Sequence, residues 1–300
     1  MKLRFWGVRG SIPSPGPRTA RYGGNTTCIE VRGDDGTLVV LDAGTGIYPL
    51  AQDLMRRRAQ DGRPVHANIF ITHSHWDHIH GLPFFTPLFV KGSRVALHGV
   101  HDPVTGQGIE HVMGVQLQNS YFPVSEEKLD ATLAYHTLEA GVPHAVGDMV
   151  VHNVVMNHPV TNLGYRIECG GRAVFFTGDH EPFHNPHAPG DAGHAAAAQQ
   201  IEQREREIER AIEGVDALVA DCSYTVEEYP HKQGWGHGTF DASIALALKA
   251  GARTLYCTHH EPTRSDDELE AVFAQALARW HDRLGGLRVA LAYEGLEVDL

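Results

Sequence analysis

His73-Ser74-His75-Trp76-Asp77-His78 places four metal-capable side chains within six residues, directly after the apolar run Asn68-Ile69-Phe70-Ile71-Thr72. A continuous strand would send alternate side chains to opposite faces. A strand that stops at Thr72 and turns into a helix near His78 gathers them instead. His73 and His75 then share one ion, while Asp77 and His78 swing round to a second ion beside it. Imidazole and carboxylate together suit zinc, with manganese or iron as substitutes. The competing reading is a histidine-rich surface loop. The strand before the stretch and the turn after it count against that.

Working outward, the chain is long enough to bury a large core: 300 residues with 42% hydrophobic content, read as one domain over 1–300. Its net charge is −12 and its pI about 5.9. An acidic chain has no general attraction for a nucleic-acid backbone or an anionic membrane, so a long nucleic-acid partner is not expected. The one cationic run, Arg56-Arg57-Arg58, falls in a helical pattern and reads as a solvated face. Cys28, Cys169, Cys222 and Cys257 are dispersed beside strand-like runs and read as reduced core thiols, which favours the cytoplasm. No apolar segment reaches membrane-spanning length, and the N-terminus reads as a strand rather than a signal peptide.

In the first half, 2–8 alternates as a strand, and 26–31 and 37–41 read as a hairpin over Gly33-Asp34-Asp35-Gly36. Ile47, Leu50, Leu54 and Met55 have helical spacing. Strands alternating with helices after a hairpin indicate a layered α/β sandwich with mixed sheets. The proline- and glycine-rich loop 9–25 carries Arg9, Arg18 and Arg21. It reads either as a plain surface connection or as a rim offering guanidinium groups, Arg9 and Arg21 first, to a substrate phosphate. In the middle, His98, His101, His111, His136 and His144 have no ligand spacing and read as structural. That stretch lies between ligand segments, which places it at the pocket mouth.

The second half supplies the missing ligands. His158 follows a strand over 150–156 and suits a third ligand for the first ion. Thr177-Gly178-Asp179 presents a carboxylate just past an apolar strand, where Asp179 is placed to bridge both ions. A helix over 195–213 and a short strand over 217–220 lead to Asp221. Then come Gly234-Trp235-Gly236-His237-Gly238-Thr239, a helix to Ala250, a strand over 254–257, and Thr258-His259-His260.

His-x-His-x-Asp-His is the signature of the metallo-β-lactamase superfamily, and the chain resembles that family along nearly its whole length. Gly-His-Gly-Thr, a helix, a strand and Thr-His resemble the ribonuclease Z-like phosphodiesterase branch. The resemblance implies a four-layer αβ/βα sandwich, two mixed sheets flanked by helices, with metals at one edge. It implies that Asp221 pairs with His237, with aspartate here where ribonuclease Z has glutamate. It also implies the full ligand set: His73, His75 and His158 on one ion, Asp77, His78 and His259 on the other, Asp179 between them. His259 is preferred to His260 because it directly follows Thr258.

Two adjacent divalent ions, zinc first, lower the pKa of a shared water to about 7. Asp77 then orients the hydroxide. A protonated His237 held by Asp221 stabilises a phosphoryl oxygen or protonates the leaving alkoxide, contributing about 10²–10⁴ in rate. Hydrolysis at carbon has less need of such a pair. The expectation is a dinuclear metal-dependent phosphodiesterase on small substrates such as cyclic nucleotides, with a homodimer allowed. Ribonuclease Z-like RNA 3′ processing and lactone, β-lactam or thioester hydrolysis are the alternatives, and a fold retained only for binding is disfavoured because no ligand position is lost.

Overall fold

The structure is a computed structural model, and it describes residues 1–101 and 105–300. β1 (Lys2–Gly7), β2 (Cys28–Arg32) and β3 (Leu38–Leu41) pair antiparallel, Leu3 opposite Val31 and Val31 opposite Val39. α1 (Ile47–Asp61) crosses over to β4 (His66–Phe70), which lies parallel to β3, the geometry a helical crossover requires. Ile47, Leu50, Ala51 and Leu54 form the buried face of α1, and Gly62, at φ +72°, ends it by returning its N–H to the Arg58 carbonyl. The short α2 (Trp76–Ile79) follows, then β5 (Arg94–Gly99), α3 (Ile109–Gln116) and β6 (Thr132–Thr137), with β5 and β6 extending the sheet in parallel.

The second half repeats this plan. β7 (His144–Val146), β8 (Met149–Val155), β9 (Leu163–Cys169) and β10 (Arg172–Phe176) run antiparallel. α4 (His194–Ile212), β11 (Ala217–Asp221), α5 (Phe240–Lys249), β12 (Thr254–Thr258), α6 (Asp266–Trp280) and β13 (Arg288–Leu291) then continue with parallel strands. β14 (Glu297–Asp299) returns to pair with β1. Among the described residues this gives two seven-stranded mixed sheets, β14-β1-β2-β3-β4-β5-β6 and β13-β12-β11-β10-β9-β8-β7.

The strand period of two divides the core into three layers. Val39 and Leu41 face between the sheets with Phe5, Phe70, Tyr165 and Phe176, while Leu38 and Val40 face α1 and α3. In β10, Val174 and Phe176 point inward and Phe175 points outward to Ile208, Ile212 and Phe240. Strands buried on both faces read as continuous apolar runs, and here they do. The architecture is therefore the expected αβ/βα sandwich. Thr239 caps α5 by accepting from the Ala242 N–H, and Ser265 and Glu268 form a capping box on α6. All four cysteines are free and buried. Among the described residues no helix is long and apolar enough to cross a membrane.

Candidate metal centre

The chemistry-bearing residues follow the ends of β4, β8, β10, β11 and β12. His73, His75, His158 and Asp179 each offer one ligand atom, and these atoms lie within 4.8 Å of one another. Asp77, His78, Asp179 and His259 form a second such group, sharing Asp179. The seven residues named from the sequence are thus brought together as two adjoining sets. His73 Nε2, His78 Nε2 and Asp179 Oδ1 are buried and have no hydrogen-bond partner. His78 Nε2 and His259 Nε2 each lie 3.2 Å from Asp179 Oδ1. Buried lone pairs aimed at one another without hydrogen bonds are costly unless a cation lies among them. The donor set of imidazoles and carboxylates fits divalent ions of the zinc type.

Four of the five imidazoles, all but His75, are turned toward the cluster by a partner on the far nitrogen, the arrangement that fixes tautomer and orientation in metal sites. His78 Nδ1 lies 2.7 Å from Asp42 Oδ2. His73 Nδ1 lies 3.1 Å from Thr72 Oγ1, which itself donates to Asp42. His158 Nδ1 donates to the Gly236 carbonyl at 2.9 Å, and His259 Nδ1 to Ser223 Oγ at 2.9 Å. Burial lowers the pKa of His73, His75 and His158, leaving neutral lone pairs for a metal. For His259 burial acts downward, but Asp179 and Asp221 outweigh it and push the ring up to about 9. His260 is not in the cluster: its Nε2 donates to the Ala292 carbonyl at 2.8 Å.

Asp221 and His237 sit against this cluster, His237 Nδ1 being 2.9 Å from Asp221 Oδ2 and 3.7 Å from Asp179 Oδ2. Asp221 Oδ1 accepts from the Ser223 N–H and hydroxyl, and Oδ2 accepts from the His180 N–H. Asp179, Asp221, His237 and His259 form a third group whose potential ligand atoms lie within 4.8 Å of one another, and in it Asp221 is already engaged by these protein donors.

The arginines of the N-terminal loop are a correction. Arg9 does not face a substrate: it is fully buried, donating to the carbonyls of Gly23 and Arg264 and pairing with Asp266 at 3.2 Å. Arg21 is half-exposed and turned onto α6, where it pairs with Asp267 and Glu270. A guanidinium has five donors, and the carbonyls and carboxylates nearest these two take them up. What the loop does supply is support. The Ser11 N–H donates to Asp77 Oδ2 at 2.7 Å, and a Cβ on Gly10 would come within 2.3 Å of the His259 ring.

Sequence reasoning also passed over Asp42, Ser223 and Glu181. Asp42 (φ +60°) and His259 (φ +56°) are non-glycine residues in the left-handed region. Glu181, 4% exposed, accepts from the Gly234 N–H and Tyr229 hydroxyl on Oε1 and from the Gly236 N–H on Oε2. It holds the turn that carries His237.

Residues 37–260 match the family model described as the beta-lactamase superfamily domain. The chain belongs to the beta-lactamase superfamily. Within it the chain is similar to ribonuclease Z, and its fold is the metallo-β-lactamase fold. A ribonuclease Z of Porphyromonas gingivalis is 25% identical over 280 residues, spanning 80% of this chain and 86% of that relative. Among solved structures, the metallo-β-lactamase fold protein YhfI from Bacillus subtilis superimposes with a TM-score of 0.67 at 16% identity, covering 99% of this chain and 98% of the other. A diphosphatase from the PhnP family gives 0.59 at 20% identity, covering 100% and 97%. At these identities the structural likenesses speak for the fold.

Proposed function

We propose that this superfamily member is a dinuclear metal-dependent phosphodiesterase acting on small phosphodiesters such as cyclic nucleotides, with zinc as the metal and manganese or iron as substitutes. His73, His75 and His158 would hold one ion, Asp77, His78 and His259 the other, with Asp179 shared. Bound there, divalent ions supply Lewis acidity toward a phosphoryl oxygen and a hydroxide nucleophile at neutral pH. The rest falls to the chain's own side chains. The observation that carries the reading is the Asp221–His237 pair beside Asp179. Burial lowers the His237 pKa, but the Asp221 and Asp179 carboxylates outweigh it and the net direction is up. In this reading His237 supplies a proton to a phosphoryl oxygen or to the departing alkoxide, whereas cleavage at an activated carbonyl needs it less.

A small cavity adjoining the centre is in keeping with a small substrate. A cavity of about 380 Å³ opens beside His73 and Ser74, walled by Ile71, Val100, Ile109, Val112 and Pro159. Part of that wall comes from the stretch after β5, in keeping with a role at the pocket mouth. Trp76 on the ligand loop and Trp235 on the His237 turn are both largely exposed and offer faces for a base to stack on.

RNA 3′ processing is the second reading, favoured by the likeness to ribonuclease Z over most of the chain. The test is metal analysis of the purified protein, then turnover of bis-p-nitrophenyl phosphate, cyclic mononucleotides, a precursor transfer RNA and a lactone, with Asp179→Ala as control. About two equivalents of zinc, manganese or iron per chain and preference for the small phosphodiesters are expected. A fully active protein with one ion would remove the shared role of Asp179, and lactone turnover alone would remove the phosphodiesterase reading.

A further inference from the structure

Away from the metal centre, a cavity of about 750 Å³ lies where β6 and β7 close the edges of the two sheets, lined by Arg32, Arg58, Arg63, His98, His136 and His144 among others. None of its lining residues belongs to the metal cluster. Its volume is that of a small-molecule site.

His98 gives this cavity its chemical demand. The side chain is 5% exposed, yet neither Nδ1 nor Nε2 has a hydrogen-bond partner. The ring lies flat between Phe70, 4.1 Å away at 3°, and His136, 4.6 Å away at 16°. That stack fixes the ring plane, so the nitrogens cannot turn away to find partners. His136 and His144, which completes the cluster edge-on at 6.0 Å, are more accessible, and their side chains make no hydrogen bond among the described residues. Buried polar atoms are almost always partnered in folded proteins, so the unpaired His98 on the wall of this cavity points to a ligand, with the more accessible His136 and His144 beside it.

Its charge can be read from the cations. Arg58 Nε is buried without a partner, and neither Arg58 nor Arg63 forms a side-chain ion pair among the described residues. The cavity's carboxylates, Asp35 and Asp61, are exposed at its rim, where each accepts from a backbone N–H, of Thr37 and of Arg63. A cation is disfavoured, because stacked rings do not converge their lone pairs, and these histidines are not among the groups whose donor atoms lie within 4.8 Å of one another. Two guanidinium groups and several imidazole N–H donors exceed what one carboxylate accepts and match the terminal oxygens of a phosphate monoester.

We propose that this cavity binds a small phosphorylated molecule, its phosphate held by Arg58 and Arg63 and by the imidazole edges of His98, His136 and His144. The site is separate from the reaction centre and does not depend on the substrate assigned there. His98 lies next to β4, the strand that leads into His73: its carbonyl accepts the Ile71 N–H at 2.8 Å. Occupancy is therefore felt at the base of the ligand loop.

The test uses metal-loaded protein labelled with ¹⁵N-histidine, titrated with adenosine 5′-monophosphate and, separately, inorganic phosphate. The His98 ring nitrogens should shift with a saturating midpoint below about 1 mM. Arg58→Gln with Arg63→Gln should weaken that midpoint by at least about tenfold, while turnover of bis-p-nitrophenyl phosphate without nucleotide stays within about twofold of the parent. Both arginines are peripheral, so the double variant should fold. A midpoint for phosphate as low as for the nucleotide would support the site and assign it to phosphate itself. His98 signals that do not move at about 10 mM of either, or that move equally in the double variant, would overturn it.

Discussion

His237 Nδ1 lies 2.9 Å from Asp221 Oδ2, which leaves Nε2 as the face of the ring without a protein partner among the described residues. Because Asp221 is itself held by Ser223 and His180, the imidazole is held in one orientation, with Nε2 turned away from Asp221. His237→Ala should keep its metals and lose at least about tenfold in turnover of a phosphodiester with an alkyl leaving group. With bis-p-nitrophenyl phosphate, whose leaving group needs little protonation, the loss should shrink. An equal loss on both substrates would make His237 a binder of the phosphoryl oxygen.

Glu181 acts on the same ring from a distance, by tying down the N–H groups of Gly234 and Gly236. Glu181→Gln turns an amide donor toward one of those donors, at a cost of about 1–3 kcal/mol. We expect a fall in kcat of about tenfold with metals retained, and little further loss when combined with His237→Ala. Full additivity in the double variant would show that Glu181 acts elsewhere.

Asp42→Asn tests the hold on His78. Asparagine tolerates the left-handed backbone found at this position, so the change removes charge more than shape. Metal affinity should fall by about 10- to 100-fold in a competition titration with a chelator. Unchanged affinity would mean that packing alone orients His78.

These residues also mark where sequence reading stops. The ligand loop was legible because four donors fall within one turn, and His158, Asp179 and His259 because each follows an apolar strand. Asp42 looked like an ordinary turn residue, since its partner His78 is 36 positions away. Glu181 was hidden for the same reason, its acceptors being engaged by N–H groups 53 and 55 residues on. Arg9 was misread because an arginine in a proline-rich loop looks exposed, and nothing local reports the Asp266 that buries it 257 positions later. His98 in β5 and His136 in β6 were read as structural from spacing alone, which is blind to a stack built across three strands.

His98 gives a pH dependence whose sign can be worked out. Burial, then the neighbouring His136 and His144, lower its pKa to about 3, against about 6.5 in an unfolded chain. Between those values the unfolded state binds the extra proton, so the contribution is fully present above pH 6.5 and is lost as pH falls toward 3. At pH 5 the loss is about 2 kcal/mol. His98→Phe keeps an aromatic ring against Phe70 but cannot titrate. Denaturant unfolding at pH 7 and pH 5 should show a smaller drop for the variant by about that amount, and equal drops would mean that His98 already carries its proton in the fold.

The salt dependence of turnover separates the two phosphodiester readings. A protein that grips a polynucleotide neutralises several phosphates and releases their counterions, so its affinity falls by about 10³-fold or more between 50 and 200 mM salt. The chain carries a net charge of −12. The arginines nearest the ligand loop in sequence are committed within the protein, Arg9 to Asp266, Arg18 to Glu268 and Arg21 to Asp267 and Glu270. Few cations are therefore left beside the centre to track a long backbone. On a cyclic mononucleotide we expect kcat/KM to change by less than about tenfold across that range. The same measurement on a precursor transfer RNA should give low efficiency throughout. Clean cleavage at its 3′ end, much more efficient than mononucleotide turnover and steeply salt-dependent, would place RNA processing first, with the phosphates gripped by cations outside the loop of Arg9, Arg18 and Arg21.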